Sequence, residues 1–77
     1  MDILDEIRDI IHKSIGRRDV TEDTDFIKDL KLNSFDIVNV TTDVETRFKI
    51  TIPTRDLWKI HTVRDVIDYL EAKGISQ

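Results

Sequence analysis

Apolar residues recur along the chain at helical spacing in three places. Residues 3–15 carry Ile3, Leu4, Ile7, Ile10, Ile11 and Ile15. Steps of three and four place these side chains on one face of an amphipathic helix. Asp2 stands where an N-cap belongs, Asp5 and Glu6 suit the positive end of the dipole, and Gly16 supplies a stop. Residues 34–48 repeat the pattern with Ile37, Val40, Thr41, Val44 and Phe48, behind Asn33 as cap and Asp36 in the first turn. This segment is rich in β-branched residues, which lowers helix propensity. A strand is the competing reading. It loses because strict alternation is absent and the run exceeds ordinary strand length. Val63, Val66, Ile67 and Leu70 predict a last helix, opened by a Thr62–Asp65 capping box and closed by Gly74. Between the last two, Pro53 ends "KITIP" and Thr54 is placed to cap a short helix, "RDLWKI".

The pattern predicts an all-α fold: a four-helix bundle of three main helices plus a short third one. Residues 17–33 form a long connection between helices 1 and 2. A structureless loop of that length is uncommon in a small domain. Its Val20, Phe26, Ile27, Leu30 and Leu32 predict that it lies over the core.

Size sharpens this picture. The chain has 77 residues, so residues 1–77 read as a single domain with a modest core. Cysteine is absent and there are two histidines, so neither disulfides nor a structural zinc are expected to help. Hydrophobic residues make up 39% and charged residues 36%, a soluble globular balance. No apolar run approaches the ~20 residues of a membrane span, and the acidic start lacks the basic region of a signal peptide. A cytoplasmic location and no membrane insertion are expected. The net charge is −4, which disfavours nucleic acid as a partner. The charge is patchy, with Lys49, Arg55 and Lys59 against Asp56 in one stretch and four acids against Arg8 and Lys13 in the first helix.

Chemistry centres on "DLKLNSFDIV", residues 29–38. Ser34 sits at a helix start. A nucleophilic serine requires a base and a group to orient it, and neither His12 nor His61 is near in sequence. On spacing alone, an ordinary helix-start serine stands ahead of a catalytic one. The unpaired N–H groups and the dipole at such a place favour an anion, so Ser34 also suits attachment of a phosphate-linked group. The acidic loop fails as a calcium site: counted from Asp19, Thr24 and Leu30 fall where Gly and Glu are required, and counted from Asp23, Ile27 falls at the fifth position. His12 and His61 read as surface or cap residues. Phe35 and Trp58 read either as core or as aromatic anchors for a partner.

Taken in order, the pieces resemble an acyl carrier protein across nearly the whole chain. The first helix is followed by "DFIKDL", then "LNSFDIV", then "ETRFKITIP", "WKI" and "TVRDVIDYLEAKG". The family hallmark is Asp-Ser-Leu at the head of the second helix. Here it is Asn33-Ser34-Phe35, with Lys31 where a glycine is usual. The resemblance implies a freestanding, non-enzymatic carrier. A phosphopantetheinyl transferase would attach phosphopantetheine to Ser34 beside Asn33. Acyl groups would then ride on the arm's thiol between acyl-loading and acyl-processing enzymes. It implies partner-facing residues Phe35, Asp36, Asn39, Asp43, Glu45 and Trp58. It further implies an acyl pocket of Phe26, Ile27, Ile37, Val44, Ile60 and Tyr69, which bulky Ile37 and Leu57 would shrink. A monomer is expected.

Asn33 keeps the cap but lacks the negative charge of the usual aspartate. The second helix offers only Asp36, Asp43 and Glu45 as acids, which predicts weak electrostatic steering and a specialised pathway: fatty-acid, polyketide, peptide or lipid-modification. Two rivals remain at this point. One is an unmodified carrier homologue acting as an interaction subunit. The other is a small hydrolase built on Ser34.

Overall fold

α1 (Ile3–Ile15) starts where the Asp2 carboxylate accepts the Leu4 N–H at 3.2 Å and ends where Gly16 turns left-handed at φ 76°. The coordinates are a computed structural model, which describes residues 2–75. α2 (Ser34–Phe48), α3 (Thr54–Leu57) and α4 (Val63–Ala72) follow. The all-α expectation holds among the described residues, where the sole extended pairing is an isolated bridge between Asp25 and Thr62.

α1 packs against both α2 and α4. Its buried stripe of Ile3, Ile7, Ile10 and Ile11 meets Val40 and Val44 from α2 and Val63, Val66, Ile67 and Leu70 from α4 in one apolar cluster. Burying each such side chain contributes roughly 1.5–3 kcal/mol. Arg47 of α2 reaches across to Asp9 at 2.8 Å and Glu6 at 3.6 Å of α1.

The long connection does cover the core. Val20, Phe26, Leu30 and Leu32 are buried in the same cluster, while Ile27 stays 56% exposed. Backbone bonds fasten the loop to the start of α4: Val63 N–H to Thr24 O, Arg64 N–H to Glu22 O, and Phe26 N–H to His61 O. Two of the loop's acids, though solvated, also bond its backbone. Asp25 Oδ1 accepts the N–H groups of Ile27 and Lys28 at 2.9 and 2.8 Å, and Asp29 Oδ2 accepts the Asp25 N–H at 2.8 Å. The segment thus turns on its own side chains.

Two helix-end assignments need correction. Thr54 lies inside α3, and Pro53 is its N-cap, extended at φ −61° and ψ 150° with no side-chain bond. The Pro53 carbonyl accepts from Asp56 and Leu57, so the turn forms without a hydroxyl cap. The helix also stops at Leu57, short of "WKI". The expected stop at Gly74 does close α4: Lys73 is the C-cap, and Gly74 follows it in the left-handed region at φ 89°. Gly74 N–H bonds Glu71 O and Ile75 N–H bonds Leu70 O, a Schellman close.

Several carboxylates are held in their charged form. Hydrogen bonds from Arg47 and then Lys13 lower Asp9, the Lys28 N–H lowers Asp25, and Arg17 lowers Asp19 to about 2. A lowered folded-state pKa contributes stability above the unfolded value and loses it as pH falls through the folded one. The melting temperature is therefore expected to stay flat from neutrality to about pH 5 and to drop below about pH 4. Thermal melts of wild type and Asp25→Asn check this, the variant showing the shallower acid slope.

Candidate functional site

The head of α2 is built by a reciprocal cap. Asn33 Oδ1 accepts the Asp36 N–H at 2.8 Å, and Asp36 Oδ2 accepts the Asn33 N–H at 3.4 Å. The Asn33 carbonyl accepts from Ile37 at 3.0 Å. Two first-turn donors, the N–H groups of Ser34 and Phe35, have no partner among the described residues. Ser34 is the first helical residue and is exposed. A hydroxyl beside two free donors at the positive end of a helix dipole suits a phosphodiester.

The turn into this helix is strained. Lys31 sits at φ 58°, a conformation that favours glycine. Leu32 then drops into the core while Asn33 and Ser34 stay out. Lys31→Gly is expected to raise unfolding stability by up to about 1 kcal/mol, readable by urea denaturation.

The outward side of α2 is nearly uncharged. Phe35 is 74% exposed and Val38 52%, and Asn39, Thr42 and Thr46 continue the exposed face. The three acids expected to face partners sit otherwise. Asp36 spends its carboxylate in the cap. Asp43 is exposed but borders a groove with Ile10, Lys13, Thr46 and Arg47, toward α1. Glu45 is half-buried, and its Oε2 accepts the Ile52 N–H at 2.7 Å. It points at the α2–α3 loop because that backbone donor has no other partner. Trp58, 72% exposed, follows α3 on a different element.

One turn along from Ser34, Ile37 joins the wall of an apolar cavity. Phe26, Ile27 and Leu32 close it from the loop, Val40, Thr41 and Val44 from α2, Ile52, Leu57, Ile60 and His61 around α3, and Val66 from α4. Its free space is about 40 Å³, room for roughly three waters at ~10–15 Å³ each. Of the six residues expected around a pocket, Phe26, Ile27, Ile37, Val44 and Ile60 come together here. Tyr69 is not among its wall residues and packs against the core beside it. Its hydroxyl donates to Asp56 Oδ2 at 2.8 Å, tying α4 to α3. Burial, and then that bond, hold the phenol above its ordinary range. Sequence reasoning missed Leu32, Val40, Thr41, Ile52, His61 and Val66 as wall residues. Thr41 was findable, since it lies four residues beyond Ile37 on the same helix face.

Comparison with known proteins bears on this arrangement. The family described as "Phosphopantetheine attachment site" matches residues 3–70. An acyl carrier protein of Bdellovibrio bacteriovorus is 40% identical over 76 residues, 96% of this chain and 97% of its own length. One from Thermotoga maritima is 35% identical over 74 residues, 94% of this chain and 91% of its own. The chain belongs to the acyl carrier protein family. It is a carrier whose prosthetic group is covalently attached phosphopantetheine. When bound, that group supplies the thiol on which an acyl group rides as a thioester. Carriers of this family work with a transferase that installs the group and with acyl-handling enzymes. In this carrier the head of α2 offers an exposed hydroxyl, two free backbone donors and a carboxylate already turned away into the cap. Those residues fit a phosphodiester.

Proposed function

We propose that Ser34 bears the phosphopantetheine arm and that this carrier performs no bond-making of its own. The observation that supports it is the exposed Ser34 hydroxyl beside the two unpartnered N–H groups that open α2. Such a serine is a tether. It requires no neighbouring base, because the transferase supplies the activation. Asn33 fixes the helix start as an aspartate would, without adding charge next to the phosphate. Phe26, Ile27, Ile37, Val44 and Ile60 form the resting walls for cargo.

Partners meet the carrier on the outward face of α2, through Phe35 and Asn39 with Asp43 at its edge, and with Trp58 as a second apolar contact. Because this face is nearly uncharged, association is weakly steered by charge. The pathway served is a specialised one. The carrier acts as a cytoplasmic monomer; no helix among the described residues is long and apolar enough to cross a membrane.

The test is incubation with coenzyme A and a broad-specificity phosphopantetheinyl transferase, followed by intact mass. A gain of one phosphopantetheine, absent in Ser34→Ala, is expected. No gain with several transferases favours the unmodified interaction subunit instead. Labelling by a serine-directed fluorophosphonate would favour the hydrolase. Raising salt from about 50 to 500 mM is expected to change the modification rate less than threefold, since few charges meet across the face.

A further inference from the structure

The sole tryptophan of the chain stands between two cations on the outward side of α3. Beyond Leu57 the helix continues as turns, with Lys59 N–H bonded to Asp56 O and Ile60 N–H to Leu57 O. Steps of three and four therefore still bring side chains to one side. Leu57 and Ile60 line the cavity, and the Asp56 carboxylate accepts from the Tyr69 hydroxyl. Arg55, Trp58 and Lys59 are left on the opposite side, all exposed, Trp58 at 72%.

Those cations have no counter-charge in the fold. Arg8, Arg17, Arg47 and Arg64 each pair with a carboxylate, and Arg18 bonds the His12 ring. Arg55 and Lys59 make no ion pair among the described residues. Asp56, the one acid of the stretch 49–61, is turned inward to Tyr69. A carboxylate for Arg55 has to come from another molecule. Trp and Arg side by side are the residue types that dominate protein interfaces, and the planar guanidinium suits a carboxylate bidentately. A membrane surface or a nucleic acid fits less well. Each spreads negative charge over a wide area, and the net charge of −4 on this chain opposes such a surface. A few carboxylates around an apolar slot match two cations around one indole.

We propose that Arg55, Trp58 and Lys59 form a docking surface of their own, for a partner protein that presents an apolar slot rimmed by Asp and Glu. The proposal deepens the reading of Trp58 as a partner contact and needs neither Ser34 nor the arm. It also separates two modes of recognition: the outward face of α2 binds with little help from charge, and the outward side of α3 binds with it.

The test uses Trp58 as its own reporter, since no other tryptophan contributes emission. The full chain is titrated with a synthetic amphipathic peptide carrying a leucine stripe flanked by glutamates. The same peptide with lysine for glutamate, the same peptide with serine for leucine, and vesicles of phosphatidylglycerol and phosphatidylcholine serve as comparisons. The glutamate–leucine peptide is expected to shift Trp58 emission to the blue and to bind at least about tenfold tighter than either peptide variant. Raising salt from about 50 to 500 mM should weaken it roughly fivefold or more. Arg55→Glu combined with Lys59→Glu, both at exposed positions, should weaken it at least about tenfold and turn the preference toward the lysine peptide. Phe35→Ala should leave it unchanged. Equal binding of the lysine peptide, no response to the glutamate–leucine peptide, or an affinity indifferent to the double reversal overturns the proposal. A stronger response to the vesicles than to any peptide overturns it in favour of a membrane contact. Loss of binding in Phe35→Ala would assign the peptide to the α2 face and overturn it as well. None of these results bears on Ser34, whose modification is read separately by intact mass.

Discussion

Leu70→Ala is expected to cost about 2–5 kcal/mol of unfolding stability, the range for deleting a fully enclosed leucine. Leu70 has 0% exposure and lies in the cluster shared by α1, α2 and α4. Its carbonyl also accepts the Ile75 N–H that closes α4, so a cavity there loosens the helix end as well. A chain of this length has a total stability of roughly 4–12 kcal/mol. The substitution therefore removes a large part of it and lowers the melting temperature by roughly 10 °C or more. Trp58→Ala, at an exposed position, should shift stability by less than about 0.5 kcal/mol. Thermal and urea denaturation of both variants provides the check. Near-equal stabilities would mean that the end of α4 does not share the core.

Phe35→Ala carries the other large expected effect, on recognition rather than on folding. An aromatic side chain that is 74% exposed makes few contacts of its own, so its loss should leave stability within about 0.5 kcal/mol. As an anchor in a partner's pocket it would contribute about 2 kcal/mol, and the transferase kcat/KM should fall roughly thirtyfold. Asp43→Lys should change kcat/KM less than about threefold, because Asp43 sits at the edge of the face toward α1. The reverse order, with Asp43 dominant and a steep salt dependence, would replace the apolar docking face by an electrostatic one.

Helix positions were legible because local signals agreed. The isoleucine spacing of α1 with Asp2 and Gly16, and the Thr62–Asp65 box of α4, point the same way as the packing does. α2 was the harder case. Its β-branched residues oppose helix formation, and burial of Val40 and Val44 against α1 decides the matter. The start of α3 was not legible because proline can open a turn with its carbonyl alone. The site divides in the same way. Ser34, Asn33 and Phe35 are local features and could be read from the chain. The bonds of Glu45 and Tyr69 could not be read there, because their partners, the Ile52 N–H and Asp56, lie seven and thirteen residues away.

Mass spectrometry of the protein isolated from its own cells tests the central claim most directly, with fragmentation of the peptide that spans residue 34. The account predicts phosphopantetheine on the Ser34 oxygen, either as free thiol or carrying an acyl group. A peptide that is always unmodified at Ser34, from cells in which a phosphopantetheinyl transferase is active on other carriers, would contradict it.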